Sequence, residues 1–413
     1  MLGALSHDGR LLFVTRTARL FAYGFLSVIL ALYLAQVGLS EAQIGLLLSL
    51  TLVGDTIISL WITTRADRLG RRRMLRLGAV LMVFAGILFA LTRNFYVLLL
   101  AATIGVISPS GYEVGPFLSL EQAALTQLLP SGRRTQVFAW YNLVGSFATA
   151  TGALSGGWIS QALQNAGMLP LTSYKAIVVG YAGFGILLLA LFTALSPQVE
   201  VQLPQEGVSQ GVRANWLGLH RSRKVVLRLA GLFSLDAFAG GFVIQSIVAY
   251  WFHMKFGVSP GTLGSIFFGV NILAGISALS AAWVARHIGL INTMVFTHLP
   301  SNILLMLVPL MPNLPLAITL LLLRFSISQM DVPTRQSYTM AVVDPDERSA
   351  ASGVTGVART VGASVAPVFT GLLLANPALI GAPFLISGGL KIIYDLSLYF
   401  NFRALKPPEE SPS

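Results

Sequence analysis

Four carboxylates, Glu113, Glu121, Asp236 and Asp331, and three arginines, Arg19, Arg324 and Arg335, lie inside long apolar runs of this sequence. An ionisable side chain at membrane depth costs at least about 2.5 to 3.5 kcal/mol on insertion scales, so each should face a cavity or a counter-charge. A carboxylate there can take up and release a proton, and a guanidinium can grip an anionic group through a planar fork of donors. Arg324, Ser328, Asp331 and Arg335 follow at steps of four, three and four, one stripe of a continuous helix, and Gln336 adjoins them. Around Glu113 stand Ser108-Pro109-Ser110-Gly111 and Gly115-Pro116, which should break the helix. Irregular backbone at membrane depth is tolerated only beside a cavity, where its freed groups can bind a solute. Cysteine is absent and the five histidines are scattered, so no disulfide framework or thiolate metal site is expected. No G-x-x-x-x-G-K-S/T occurs, and no soluble stretch is long enough for a nucleotide-binding domain. The pattern points to transport driven by a gradient, with no cofactor and no enzymatic step.

The elements that must position these residues are membrane spans. Of 413 residues, 55% are hydrophobic and only 10% charged, against about a quarter charged in soluble domains. The formal net charge of +11 would suggest nucleic acid in a soluble chain; here it reflects arginines gathered on one side of a bilayer, and no nucleic-acid partner is expected. Twelve apolar runs can be marked off at about 12–37, 43–63, 74–92, 95–129, 136–163, 174–195, 225–256, 263–284, 291–311, 314–343, 350–374 and 380–400, each long enough to supply the ~20 residues that a span needs, the fourth longer than a bilayer requires. Ala66-Asp67-Arg68-Leu69-Gly70-Arg71-Arg72-Arg73 reads as a short cytoplasmic loop between the second and third. Arg133, Arg134, Arg286, Arg348 and Arg403 then fall inside, against Arg93, Lys175 and Lys255 outside. The expected organisation is a six-helix bundle at 1–195, a polar cytoplasmic linker at 196–224, a second bundle at 225–403 and a cytoplasmic tail at 404–413. Both termini are expected on the cytoplasmic side of the cell membrane, and the first run is an uncleaved helix.

The halves repeat each other in parallel. Gly38-Leu39-Ser40 with Gly45 corresponds to Gly257-Val258-Ser259 with Gly264, and Gly70 to Gly289, at a common offset of 219 (45 to 264, 70 to 289). In each copy a serine should cap the next helix, with Gln43 completing a capping box in the first and Pro260 at the first helical position in the second. Further on, the offset is 214: Glu121 matches Arg335, and Arg134 matches Arg348.

Twelve spans in two six-span halves, with D-R-x-G-R-R after the second and a degenerate Arg286-His287-Ile288-Gly289 after the eighth, resemble the major facilitator superfamily of secondary transporters. The resemblance covers nearly the whole chain and implies an all-α membrane protein of two pseudo-symmetric six-helix bundles, acting as a monomer on a small-molecule solute by alternating access. Asp67, Arg68, Gly70, Arg71 and Arg72 match its signature loop, with Thr63 where glycine is usual. In the superfamily the loop's aspartate braces the outward-facing state against the start of the eleventh helix, here near Asp346, Glu347 and Arg348. The first, fourth, seventh and tenth helices line its cavity, and these are the runs holding Arg16 and Arg19, Glu113 and Glu121, Asp236, and Arg324, Asp331 and Arg335. Ala102 stands where much of the superfamily has a fourth-helix arginine. Gly152-Ala153-Leu154-Ser155-Gly156-Gly157 is similar to an element of antiporters, which favours export; Gly145, Thr149, Gly152 and Gly156 also form a small-residue packing face.

Among the remaining charges, Lys391 and Asp395 should neutralise each other at i, i+4, Arg16 and Arg19 are close enough to the inner surface to snorkel, and Asp55 and Arg359 should brace the halves. Gln245 points away from Asp236 unless Gly240-Gly241 bends the helix. Glu121 and Arg335, equivalent positions of opposite charge, are expected to pair. The reading is a proton-coupled exporter of a polar or charged solute. A gradient-independent uniporter of an organic ion and a non-transporting sensor or scaffold are the alternatives, the last disfavoured because it has no need of buried charge.

Overall fold

The structure is a computed structural model that describes residues 6–113, 115–129, 134–200, 219–344 and 347–405, apart from the side chains of 134–136 and 349. Most of the expected linker, the end of the tail, Arg133 and Asp346 therefore lie outside the described residues. Every regular element among the described residues is helical. The first half of the chain forms α1 (His7–Val37), α2 (Glu41–Leu69), α3 (Arg71–Leu91), α4 (Phe95–Ile104), α5 (Phe117–Leu128), α6 (Arg134–Asn165) and α7 (Pro170–Thr193). The second forms α8 (Arg223–Gly241), α9 (Gln245–Phe256), α10 (Pro260–Ile288), α11 (Leu290–Leu307), α12 (Leu314–Ser328), α13 (Asp331–Ala341), α14 (Arg348–Leu374) and α15 (Ala382–Phe402). Ten helical stretches among the described residues are long and apolar enough to cross a membrane. The α4–α5 pair and α6 occupy the places of the fourth and fifth runs.

The caps follow the repeat. The Ser40 hydroxyl accepts from the Gln43 backbone N–H while the Gln43 side chain accepts from that of Ser40, and the Ser259 hydroxyl accepts from Thr262 N–H with Pro260 opening α10. The stretch 66–73, by contrast, is not the loop that its charge suggests. α2 runs on to Leu69, Gly70 alone leaves the helix with φ +98°, and α3 begins at Arg71. Charge limits how much of a helix sits in lipid but not where the helix ends, because arginines on its last turns reach headgroups and water. The single reversing residue needs a left-handed φ that glycine adopts without a Cβ clash.

Three runs are interrupted, and each has a local cause. The fourth breaks between Ile104 and Phe117, across Pro109, Gly111, Gly115 and Pro116. The seventh breaks between Gly241 and Gln245, as the Gly240-Gly241 pair allowed. The tenth breaks at Gln329 and Met330, which the expected continuous stripe did not foresee. Pro333 explains it, since its ring has no N–H to give and clashes with the carbonyl four residues back, at Gln329.

The chain packs as two compact units, residues 1–203 with 244–272 and residues 204–243 with 273–413. In the first, the small-residue face of α6 lies directly on α1: a Cβ added at Gly152 or Gly156 would stand 2.1 Å from the carbonyl oxygens of Phe21 and Phe25, and one at Gly24 would stand 2.1 Å from that of Thr149. In the second, α14 lies on α8 in the same manner, with Gly362 against the Ser234 carbonyl. Backbones this close leave little freedom to slide, which fixes where the polar residues of α1 and α8 point.

Candidate functional site

In the first unit the site begins with Thr15, Arg16 and Arg19, neighbours on one face of α1. Instead of snorkelling, both arginines turn inward and are buried. Arg16 donates from Nε to the Tyr141 carbonyl (2.7 Å), from Nη1 to Glu113 Oε1 (2.5 Å) and from Nη2 to Asn142 Oδ1 (3.2 Å), and its guanidinium lies 4.3 Å from the Tyr141 ring centroid. Arg19, 0% exposed, donates from Nη2 to Glu113 Oε1 (2.9 Å) and to Glu121 Oε2 (2.8 Å) above the Phe117 ring. Glu121, also 0% exposed, further accepts from the Thr15 hydroxyl (2.8 Å) and from the Tyr141 hydroxyl. The helix break supplies Glu113, α5 supplies Glu121 and α6 supplies Tyr141. Desolvated charges persist only when paired and hydrogen-bonded in this way. Arg19 Nε and Nη1 and Glu113 Oε2 remain buried without a hydrogen-bond partner, a pair of donors and an acceptor for which the described residues supply no counterpart.

The second unit holds its own cluster. Arg335 Nη1 donates to Asp236 Oδ2 (3.1 Å) and Asp331 Oδ2 (2.9 Å), and Lys391 Nζ to Asp236 Oδ1 (2.6 Å). Asp395 accepts from Asn302 Nδ2 (2.9 Å) and pairs with His298 Nδ1 (2.8 Å). Arg359, half-buried on α14, lies within electrostatic reach of Arg335, Asp236 and Asp331. Glu121 and Arg335 thus each find counter-charges inside their own unit. Lys391 and Asp395 do not pair with each other as expected, because each has a nearer partner on another helix. Arg324 is buried over the Phe325 ring, and Gln336 is exposed. Asp55 lies in the first unit, beside Gly115 and within electrostatic reach of Glu113. The sequence reading missed Thr15, Tyr141, His298 and Asn302; the last two share one face of an apolar helix at i, i+4, a readable signal.

At the Gly70 turn, Arg71 Nε donates to Asp67 (3.0 Å), whose side chain is 64% exposed, and Arg71 Nη1 donates to Gln127 Oε1 (3.1 Å). Arg68 is exposed. The start of α3 is capped by Glu200, which accepts from the backbone N–H groups of Arg71 (2.6 Å) and Arg72 (3.2 Å). Glu347 does the same in the second unit, accepting from Arg221 N–H (2.8 Å) and Ser222 N–H (2.7 Å) at the start of α8.

Residues 12–367 match the sequence profile of the Major Facilitator Superfamily. An uncharacterized membrane protein of Saccharomyces cerevisiae is 32% identical over 420 residues, spanning 95% of this chain and 93% of its own length. The quinolone resistance protein NorA of Staphylococcus aureus is 26% identical over 138 residues, 33% of this chain and 34% of that protein. Among solved structures, a bacterial homolog of the human lysosomal transporter Spinster superposes with a TM-score of 0.71 at 16% identity, covering 96% of this chain and 95% of that one. With that fold, those spans and that profile, the chain belongs to the Major Facilitator Superfamily and is a multi-pass membrane transporter rather than an enzyme.

Proposed function

We propose that this protein is a secondary active transporter that exports a small polar or charged solute across the cell membrane by alternating access, in exchange for protons. The observation that carries the reading is the cluster of Arg16, Arg19, Glu113 and Glu121, four charges held at membrane depth around a broken helix. A sensor or scaffold would retain the fold at lower cost without them. The unpartnered donors of Arg19 beside the unpartnered oxygen of Glu113 favour a solute that offers both an acceptor and a donor, such as a zwitterion. Asp236, Asp331, Arg335 and Lys391 supply a second polar group on the solute or proton path, with Arg324 and Gln336 beside it in sequence. Export is supported by the glycine-rich element of α6 and by the partial similarity to a quinolone resistance protein. The α4–α5 pair and α6 complete twelve spans in this reading, arranged as halves at 1–195 and 225–403. The arginine distribution supports cytoplasmic termini, and Asp67, Arg68, Gly70, Arg71 and Arg72 form the conformational gate of a monomer that needs no cofactor beyond the proton gradient.

Inside-out vesicles carrying the protein test this when offered a panel of metabolites and drugs with and without a pH gradient. Accumulation that disappears with the gradient is the expected result. Transport at the same rate in both conditions would leave a uniporter, and no transport of any solute would return the scaffold.

A further inference from the structure

Between Glu41 and Arg65, Asp55 is the one ionisable residue of α2. It is 8% exposed, and its Oδ1 is buried with no hydrogen-bond partner among the described residues. Its direction is fixed by its neighbour, since a Cβ at Gly54 would stand 1.9 Å from the Thr103 carbonyl oxygen, so α2 meets α4 backbone to backbone. From there Asp55 faces the broken fourth run, beside the Gly115 N–H and the Ser59 hydroxyl and within electrostatic reach of Glu113.

The other titratable groups near it are Tyr23 of α1 and Tyr181 of α7. Glu121 of α5 and Tyr141 of α6 are bound to each other and to Arg19 or Arg16. The buried face of α3, from Met74 to Ala90, and that of α4 carry no titratable residue. Arg16 and Arg19 are engaged by Glu113 and Glu121. Among the described residues, the enclosed group therefore contains two guanidiniums and three carboxylates, and the carboxylate left over is Asp55. A single proton balances the count.

We propose that Asp55 is the group that carries the coupling proton, with Glu113, two residues from the backbone that Asp55 touches, reporting its protonation to Arg19. This rests on the proton-coupled reading above. Binding forms one O–H bond on Asp55 at the expense of one on hydronium, which leaves as water, and takes the group from a net charge of −1 to zero. Protonated, Asp55 becomes a donor and no longer repels Glu113; deprotonated, it places a second negative charge beside Gly115, two residues from that of Glu113. The state of Asp55 thus alters how firmly Glu113 holds Arg19, whose free donors await the solute.

The experiment needs no solute. Purified protein in nanodiscs is titrated while infrared difference spectra follow the carbonyl stretch of protonated carboxyl groups. The chain has no native cysteine, so spin labels at engineered cysteines report the distribution of conformations at each pH in parallel. The wild type should show one titrating carboxyl band and a population shift that follows it. Asp55→Asn, nearly isosteric and fixed as neutral, should lose the band and hold the low-pH population at every pH, and Asp55→Glu should restore both. A band and shift that persist in Asp55→Asn but vanish in Glu113→Gln would overturn the assignment while leaving proton coupling intact. A wild type with neither band nor shift would overturn both.

Discussion

Arg19→Gln is the substitution for which the geometry gives the largest effect. It removes the only cation bonded to Glu121 among the described residues, and leaves a fully buried carboxylate with two hydroxyl donors, from Thr15 and Tyr141. Glu113 keeps Arg16 at 2.5 Å, so the damage is confined to one stranded charge. Breaking a buried pair from one side costs about 3 to 5 kcal/mol, roughly two to three and a half powers of ten in the folding equilibrium at about 1.4 kcal/mol for each tenfold. Adding Glu121→Gln should recover part of that loss, because the uncompensated charge is then gone and the new side-chain amide can still bond to Thr15 and Tyr141. The assay is reversible unfolding in mixed micelles of the wild type, both single variants and the double, read as a double-mutant cycle. The double variant should be more stable than Arg19→Gln alone. An Arg19→Gln protein within about 0.5 kcal/mol of wild type, or a double variant whose loss is the simple sum of the singles, would refute the claim that these groups are desolvated and coupled.

Three further outcomes follow from the contacts. Gly156→Val should abolish accumulation of folded protein, because its Cβ would begin 2.1 Å from the Phe25 carbonyl, whereas Gly389→Val, with open space around it, should express normally; detergent-soluble yield decides. Lys391→Met should destabilise the second unit by about 3 kcal/mol by removing one of the two cations on Asp236, while Asp395→Asn acts on His298 and Asn302; because Asp395 also lies within electrostatic reach of Lys391 and Asp236, the loss in the double variant should depart from the sum of the singles by more than about 0.5 kcal/mol in the same unfolding assay. Glu200→Gln should loosen the start of α3 by about 1 kcal/mol, seen as faster hydrogen exchange at residues 71–74 with no change in the membrane-embedded turns; unchanged exchange there would show that the cap is dispensable.

What the sequence made legible was what depends on length, composition and short-range chemistry. Apolar runs marked the spans, Pro109, Gly111, Gly115 and Pro116 marked the broken fourth helix, and Ser40 with Gln43 marked a helix start. Partner choice was not legible, because it depends on which helices pack together. Lys391 and Asp395 satisfy the i, i+4 rule, yet that rule describes an isolated helix; beside α8 and α11, Asp236 and His298 offer shorter and better-enclosed bonds. On an isolated α1, Arg16 and Arg19 are free to reach the surface; the contact of Gly152 and Gly156 with that helix sets the rotation that turns them inward. Pro333 was in plain view as the cause of the tenth break, but a regular polar stripe argued for continuity, and the missing N–H outweighed the pattern.

The broken fourth run shows why charge and irregular backbone occur together. A break at membrane depth frees carbonyl and N–H groups that lipid cannot satisfy. Here the Val106 carbonyl accepts from the Tyr181 hydroxyl (2.6 Å), that of Pro109 from Ser246 N–H (3.1 Å), that of Gly111 from the Thr149 hydroxyl (3.4 Å) and that of Tyr112 from the Ser108 hydroxyl (2.7 Å). α6, α7 and α9 thus each hold the break at a different point, so it is wired rather than slack. Within such a frame a polar side chain meets donors and acceptors already in place, and Glu113 costs less there than it would on an unbroken helix facing lipid. The same wiring means that a change of charge beside Gly115 is resisted at several bonds and must be passed to whichever partner yields first. Arg19, with two donors unsatisfied, is the partner with the least to lose.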